Sequence, residues 1–530
     1  MPYGLQARQV PLALGDPNDA EGDPGEATPP FESLKETAPR GLREPEVAIW
    51  QAVTTGQVAR CTEHEPQRPG AQPVRAAFLV WLLTSDEIPR HVLRILGASI
   101  EGHLDLEGRT VQCPIDFHRC RFSESIKVDQ AKLSRLSLID CDVPALEARQ
   151  LQTTGDLSLS RSRVRWVGLL GARIGGQLDL AHAELSNSRG EALTADGASV
   201  GQDVICRGTK AHGGITLVNA AIAGSIDLSA AKIYPRGIRA SKVLIGADLR
   251  TDESTAVSGT LALTGASIGG LLQLSDAALR TRRGSAVDLE GANVHNLALP
   301  TRLPPRGPVE LTRSRIGHFD DAWGSVRYRA RINGLIYETL SERAGGLQVR
   351  LGWLRAALPE EGAPAAEPEK PAYVPQAYEQ LASVYRRDGC EHHARRVLME
   401  KERERYRRPD HAHPAQRALS RVWGTAFGLL GFGYRWYRGL IALGILYLAD
   451  WYIFEHTAHD MVPVAPTSHP PPFSAPLYAL EAIAPLVDFG QKALWASTRT
   501  AAWAYVVSVV LSWTVLTVTV ASLTQRYVRR

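Results

Sequence analysis

Between Leu96 and about Phe319 apolar side chains return at a fixed interval. Leu193, Val204, Ile215, Ile226 and Ile238 are separated by 11, 11, 11 and 12 residues. Two such half-repeats make a coil of about 22 residues, the signature of a solenoid. The copies GASIEGHLDL (97–106), GARIGGQLDL (171–180), NAAIAGSIDL (219–228) and GASIGGLLQL (265–274) carry the same pattern. In the first copy Leu104 and Leu106 are apolar and Asp105 between them is charged. That alternation is the period of a strand with one buried face. Glycine or alanine near the start of each copy suits a tight corner, where positive φ or a small side chain is needed. The pattern predicts a mainly β chain: a right-handed parallel β-helix over 96–340. Coils pair at 4.7–4.9 Å, so about ten of them make a rod of roughly 48 Å.

The period changes on both flanks. Residues 1–45 are rich in Pro, Gly and acidic side chains and read as a disordered segment. Helical spacing begins near Glu46, with Val47, Ile49, Trp50 and Val53 apolar, and a second helix is expected over about Pro73–Leu83. Residues 46–95 thus form an α-helical cap, which an open solenoid end requires. After the coils, 341–372 reads as a short helix and a Pro-rich linker, and 373–408 as two helices joined at Asp388-Gly389. That pair is similar to one tetratricopeptide-type hairpin, and a single copy is expected to dock on the solenoid end or on a membrane.

Ala501–Leu523 holds 23 residues without a charge, and the shorter apolar stretch Leu440–Phe454, which contains Asp450, reaches the needed length when extended back to Trp436, giving a first span over 436–456. Both are long enough to span a bilayer. Arginines precede the first segment and follow the second, while the 457–500 loop carries only Lys492 and Arg499 as strong cations. The positive-inside rule then places both termini and the solenoid in the cytoplasm of an inner-membrane protein. Segment 409–435 is expected along the interface as an amphipathic stretch, 474–495 as a re-entrant or interfacial helix, and 524–530 as a cytoplasmic tail.

Composition adds limits. Six cysteines in 530 residues are too few for a disulfide framework. A net charge of +4 gives no case for nucleic acid. The first twenty residues lack the basic and apolar regions of a cleavable signal peptide.

The repeat copies, together with QPVRAAFLVWLL (72–83), NGLIYETL (333–340), VPQAYEQLASVYRRDGCEHHARRVLMEK (374–401) and PLYALEAIAPLVDFGQKALW (476–495), resemble one bacterial family. Its members are pentapeptide-like solenoid proteins with C-terminal membrane helices, often labelled "membrane-associated oxidoreductase". The resemblance implies a membrane-associated solenoid and lends no catalytic residues.

The oxidoreductase label can be tested on residues. Thr264 to Gly270 looks like the glycine-rich loop of short-chain dehydrogenases, but Leu271 stands where glycine is needed and no Tyr-x-x-x-Lys pair occurs. Cys113, His118, Cys120 and Cys141 lack a recognised zinc spacing. Cys390, His392 and His393 are expected to be solvated, and the second apolar segment has no histidine to pair with His456 or His459 around a haem. Asp105, Asp179, Asp227 and Asp288 recur as outward carboxylates that could ladder around cations; Arg161, Arg163, Arg165, Arg280, Arg282 and Arg283 lie at turns and could meet anionic headgroups. Asp450 is the one candidate functional residue inside a span, although a place near the outer aromatic belt would let water reach it.

These readings converge on a scaffold without catalytic residues, cofactor or metal, tethered to the lipid bilayer and offering its rod to cytoplasmic proteins or to other copies of itself. A channel-like or signal-transmitting membrane protein and a membrane-associated oxidoreductase are the alternatives.

Overall fold

The structure, a computed structural model, describes residues 41–61, 73–85, 92–274, 277–282, 284–299, 305–320, 329–341, 346–359, 372–407, 436–464, 472–484, 488–497 and 499–528. Most of the 1–45 segment, the linker from 360 to 371, the 409–435 stretch and Arg283 lie outside these residues.

The central chain winds as a parallel β-solenoid of about 11 turns with about 22 residues per turn. Each turn contributes short strands to two sheets, and every strand pair between turns is parallel. Inward side chains stack in ladders. Val111, Leu133, Thr153, Ile174 and Val200 form one. Ile115, Leu136, Leu157, Leu178 and Val204 form the next. The 11-residue interval has a simple cause: it carries the chain from one sheet to the other. Val204 stacks on Ile226 in one sheet, and Leu193, Ile215 and Ile238 stack in the opposite one. All five are buried.

One corner of each turn is held by a residue in the left-handed region. Gly171, Gly197, Gly265 and Gly291 occupy one corner ladder at φ 64–65°. Gln130, Gln150, Asn219, Lys242 and Arg313 hold the same position in other turns at φ 54–58°. A side chain there costs roughly 1–2 kcal/mol, which the inter-turn bonds offset. Gln150, for example, donates its backbone N–H to the Leu170 carbonyl at 2.8 Å.

Pairing starts earlier than the repeat suggests. Val58–Arg60 pairs with Arg94–Leu96, and Val74–Arg75 pairs with Ile100–Glu101. The expected cap at 46–95 is therefore part helix, part first coil. Helix α1 (Glu44–Thr55) and helix α2 (Ala76–Thr84) cover the end, with Trp50 and Trp81 stacked at 5.7 Å. Between them Glu46 is fully buried, accepting from Arg75 Nη2 at 2.5 Å, Arg75 Nε at 2.8 Å and the Arg43 backbone N–H at 2.9 Å. Burial alone would raise its pKa; the Arg75 guanidinium and the backbone donors outweigh it and hold the carboxyl at about 2.

At the other end lie helices α3 (Gly346–Arg355), α4 (Pro375–Arg387) and α5 (Glu391–Arg407). The α4–α5 hairpin docks on the last coil. Gln376 and Gln380 donate their side-chain amides to the carbonyls of Leu335 and Tyr337 at 3.1 and 2.6 Å. These amides supply donors to a strand edge that would otherwise be open to pairing.

Beyond them come α6 (Trp436–His456), α7 (Ala475–Ile483) and α8 (Arg499–Val528). The two expected spans are thus helical. Among the described residues, however, no helix is long and apolar enough to cross a membrane, so the expectation of two transmembrane helices needs correction. Arg438, Asp450 and Glu455 interrupt the apolar run of α6. The 474–495 block forms α7 and a turn packed on the pair, with Phe454 and Tyr478 in edge contact at 5.0 Å.

Candidate functional site

The residues that distinguish this chain from a plain solenoid lie between α6 and α8. Asp450 is 2% exposed, which corrects the expectation of a solvated position. Ser508, one of α8's inward residues, donates its hydroxyl to Asp450 Oδ1 at 2.5 Å. Asp450 Oδ2 is buried without a hydrogen-bond partner. Ser512 and Thr519 are also buried on α8. Their hydroxyls donate back along the helix to the Val509 and Val515 carbonyls at 3.0 and 2.7 Å. The outer faces are the reverse. Ile441, Ile445, Leu448 and Tyr452 recur at helical spacing on α6 and are exposed, as are Trp503, Val507 and Val510 on α8. Trp503 is 74% exposed. The pair buries Asp450, Ser508, Ser512 and Thr519 and presents these apolar side chains, although Glu455, Thr514 and Thr517 are exposed as well.

Sequence reasoning missed Glu481. It is fully buried at the end of α7, and its carboxylate accepts from the backbone N–H groups of Phe489, Gln491 and Lys492. It holds the turn after α7, where three converging amides take up most of its acceptor capacity. No spacing pattern announces such a contact.

The solenoid separates the other candidates. Cys120 and Cys141 stack in adjacent turns, with the Cys120 backbone N–H 3.4 Å from Cys141 Sγ. The Cys120 neighbour and burial push the Cys141 thiol above its ordinary value, and burial pushes Cys206 up to about 12. These are core residues donating to carbonyls of the neighbouring turn: Cys120 to Ile95 at 3.6 Å and Cys141 to Phe117 at 3.4 Å. Ser162 and Thr209 donate to Leu138 and Leu180 in the same way. Among the described residues no group of three or more His, Cys, Asp or Glu could hold a metal ion. His392 and His393 stack on each other at 4.0 Å, and burial lowers the His393 pKa. His456 Nδ1 lies 2.9 Å from the Tyr452 carbonyl, a contact within α6.

The four aspartates do not form one ladder. Asp179 and Asp227 are in one sheet with Ile205 between them, and Asp105 and Asp288 are in the other. Each closes a corner instead, accepting the backbone N–H two residues on: Ala181, Ser229, Glu107 and Glu290 at 2.9–3.0 Å. This is the Asx turn that favours aspartate at strand ends. Thr264–Gly270 is a corner leading into the strand Ser267–Gln273, where a dinucleotide loop would lead into a helix. Of the arginines, Arg163 pairs with Glu184 at 3.4 Å, while Arg165 and Arg280 share a corner.

Comparison with protein-family models, curated proteins and solved structures returns no match to this chain.

Proposed function

We propose that the chain is a scaffold whose rod is held at the cytoplasmic face of an inner membrane by the α6–α8 pair. One observation carries this reading: the pair is inside-out. Apolar residues exposed at helical spacing, with Asp450, Ser508, Ser512 and Thr519 turned inward, are what a lipid solvent selects and water does not. The support is this surface, not the length or apolarity of either helix alone. The rod supplies regular outward ladders and capped ends, suited to binding cytoplasmic proteins or further copies of the chain. A right-handed, pentapeptide-like winding is the form proposed for it, since parallel crossovers take that hand.

The test is flotation of the full chain with lipid vesicles, followed by crosslinking in cells. The proposal expects flotation that survives alkaline carbonate, and crosslinks from solenoid faces to cytoplasmic proteins or a second copy. A chain left in the dense fraction overturns the anchor.

A second reading, a channel-like or signal-transmitting protein, is favoured by the unpartnered Asp450 Oδ2. Ion flux in reconstituted vesicles that Asp450→Leu abolishes would replace the scaffold with it.

A further inference from the structure

Charge on the outer face of one sheet alternates along the stack from Arg121 to Lys210, after which Lys232 follows Lys210 in register. Arg121 pairs with Asp142 in the next turn at 3.4 Å, and Arg163 and Lys210 flank Glu184 at 3.4 and 2.7 Å. Two residues further along the same strands, at the corner, that logic fails. His212, Tyr234 and Ser258 follow one another in register there, Arg280 follows Ser258, and Arg306 is the bridge partner of Arg280. Arg165 holds the same corner position two turns before His212. From Arg165 to Arg306 is six steps, about 29 Å at the usual strand spacing. Loops on this corner add Arg189 and Arg282, both exposed.

Among the described residues no carboxylate pairs with Arg165, Arg189, Arg280, Arg282 or Arg306, and the nearby Glu191 is engaged by Arg239 at 2.8 Å. Like charges in direct cross-strand opposition destabilise a sheet, so Arg280 over Arg306 does not serve folding. An external anion would relieve it.

The shape selects the anion. Strands within the rod are already paired on both sides, so this corner offers no open edge for a peptide strand to join. The two rings on this ladder, His212 and Tyr234, pack edge to face on each other at 4.4 Å, leaving no row of open faces on which successive bases stack. A basic edge that runs along the stack fits an extended surface of negative charge.

We propose that the Arg165–Arg306 corner is a docking edge for an anionic bilayer surface, laying the rod along the leaflet. This rests on the membrane anchor above. An anionic leaflet attracts basic residues held within a Debye length of it.

The test is arginine modification by phenylglyoxal on the full chain, reconstituted in phosphatidylcholine vesicles with or without phosphatidylglycerol. Modification of Arg165, Arg280 and Arg306 is expected to slow by about fivefold each in the anionic vesicles, and salt should restore it. The variant carrying Arg165→Gln, Arg280→Gln and Arg306→Gln should still float but lose protection at Arg189 and Arg282. Vesicle-bound protein modified equally in both lipids overturns the docking edge and leaves the anchor standing; failure to float overturns the anchor itself. Protection by polyuridylate or polyglutamate with none from anionic vesicles assigns the edge to another partner and overturns the proposal.

Discussion

Ser508 Oγ sits 2.5 Å from Asp450 Oδ1 across the α6–α8 interface, and it is the hydrogen bond that satisfies a buried carboxyl with a second, orphaned oxygen. Removing it leaves both oxygens unpaired. Ser508→Ala should therefore destabilise the helix pair by about 1–3 kcal/mol, read as a lower midpoint in denaturation of the purified full chain. Asp450→Leu, which removes the polar group altogether, should cost less than Ser508→Ala. A Ser508→Ala chain as stable as the unaltered one would show that the contact contributes nothing to holding the helices together.

The N-terminal cap should loosen in acid. The Glu46 carboxyl titrates at about 2 when folded, against 4.5 ordinarily, so its contribution is complete above the higher value and is lost as pH falls toward the lower. Hydrogen exchange in α1 should rise across that window while the central coils stay protected. Glu46→Gln should remove the pH dependence and leave α1 less protected at neutral pH.

The interior ladders predict a position effect. Leu157 is fully buried between Leu136 and Leu178, so Leu157→Ala should cost about 2–5 kcal/mol through the cavity it leaves. Urea denaturation checks this, with a shift under about 1 kcal/mol contradicting a packed core.

Two glycines should fail for different reasons. Gly197 has φ +65° with open space where a methyl would go, so Gly197→Ala meets only backbone strain, about 1–2 kcal/mol. A methyl at Gly201 would collide with the Gly175 carbonyl oxygen of the preceding turn, and Gly201→Ala should be the more damaging change. Thermal melting of the two variants settles the order.

What is legible in the sequence follows from which rules are local. Leu104-Asp105-Leu106 alternates because one strand face is buried, and the interval from Leu193 to Val204 marks the step between sheets; both survive in a linear reading. Gly171 and Gly265 announce corners for the same reason. Stacking is not local. Gly171 to Gly197 spans 26 residues where Gln150 to Gly171 spans 21, so a fixed period loses count, and Asp105 and Asp227 look alike in the repeat although they sit in different sheets. The Arg280–Arg306 opposition and the Asp450–Ser508 bond depend on registers that no spacing encodes. Val58–Arg60 does not read as a strand because its partner, Arg94–Leu96, lies beyond α2.

The most direct test of the anchored-rod account is fluorescence quenching by brominated acyl chains on the full chain bound to vesicles. Trp451, Trp503 and Trp513 are exposed on the helix pair, whereas Trp50 is buried at the far end of the rod. The account predicts strong quenching that Trp451→Phe, Trp503→Phe and Trp513→Phe together weaken, with Trp50 unaffected. Emission that brominated lipid leaves unchanged in the unaltered chain would contradict it.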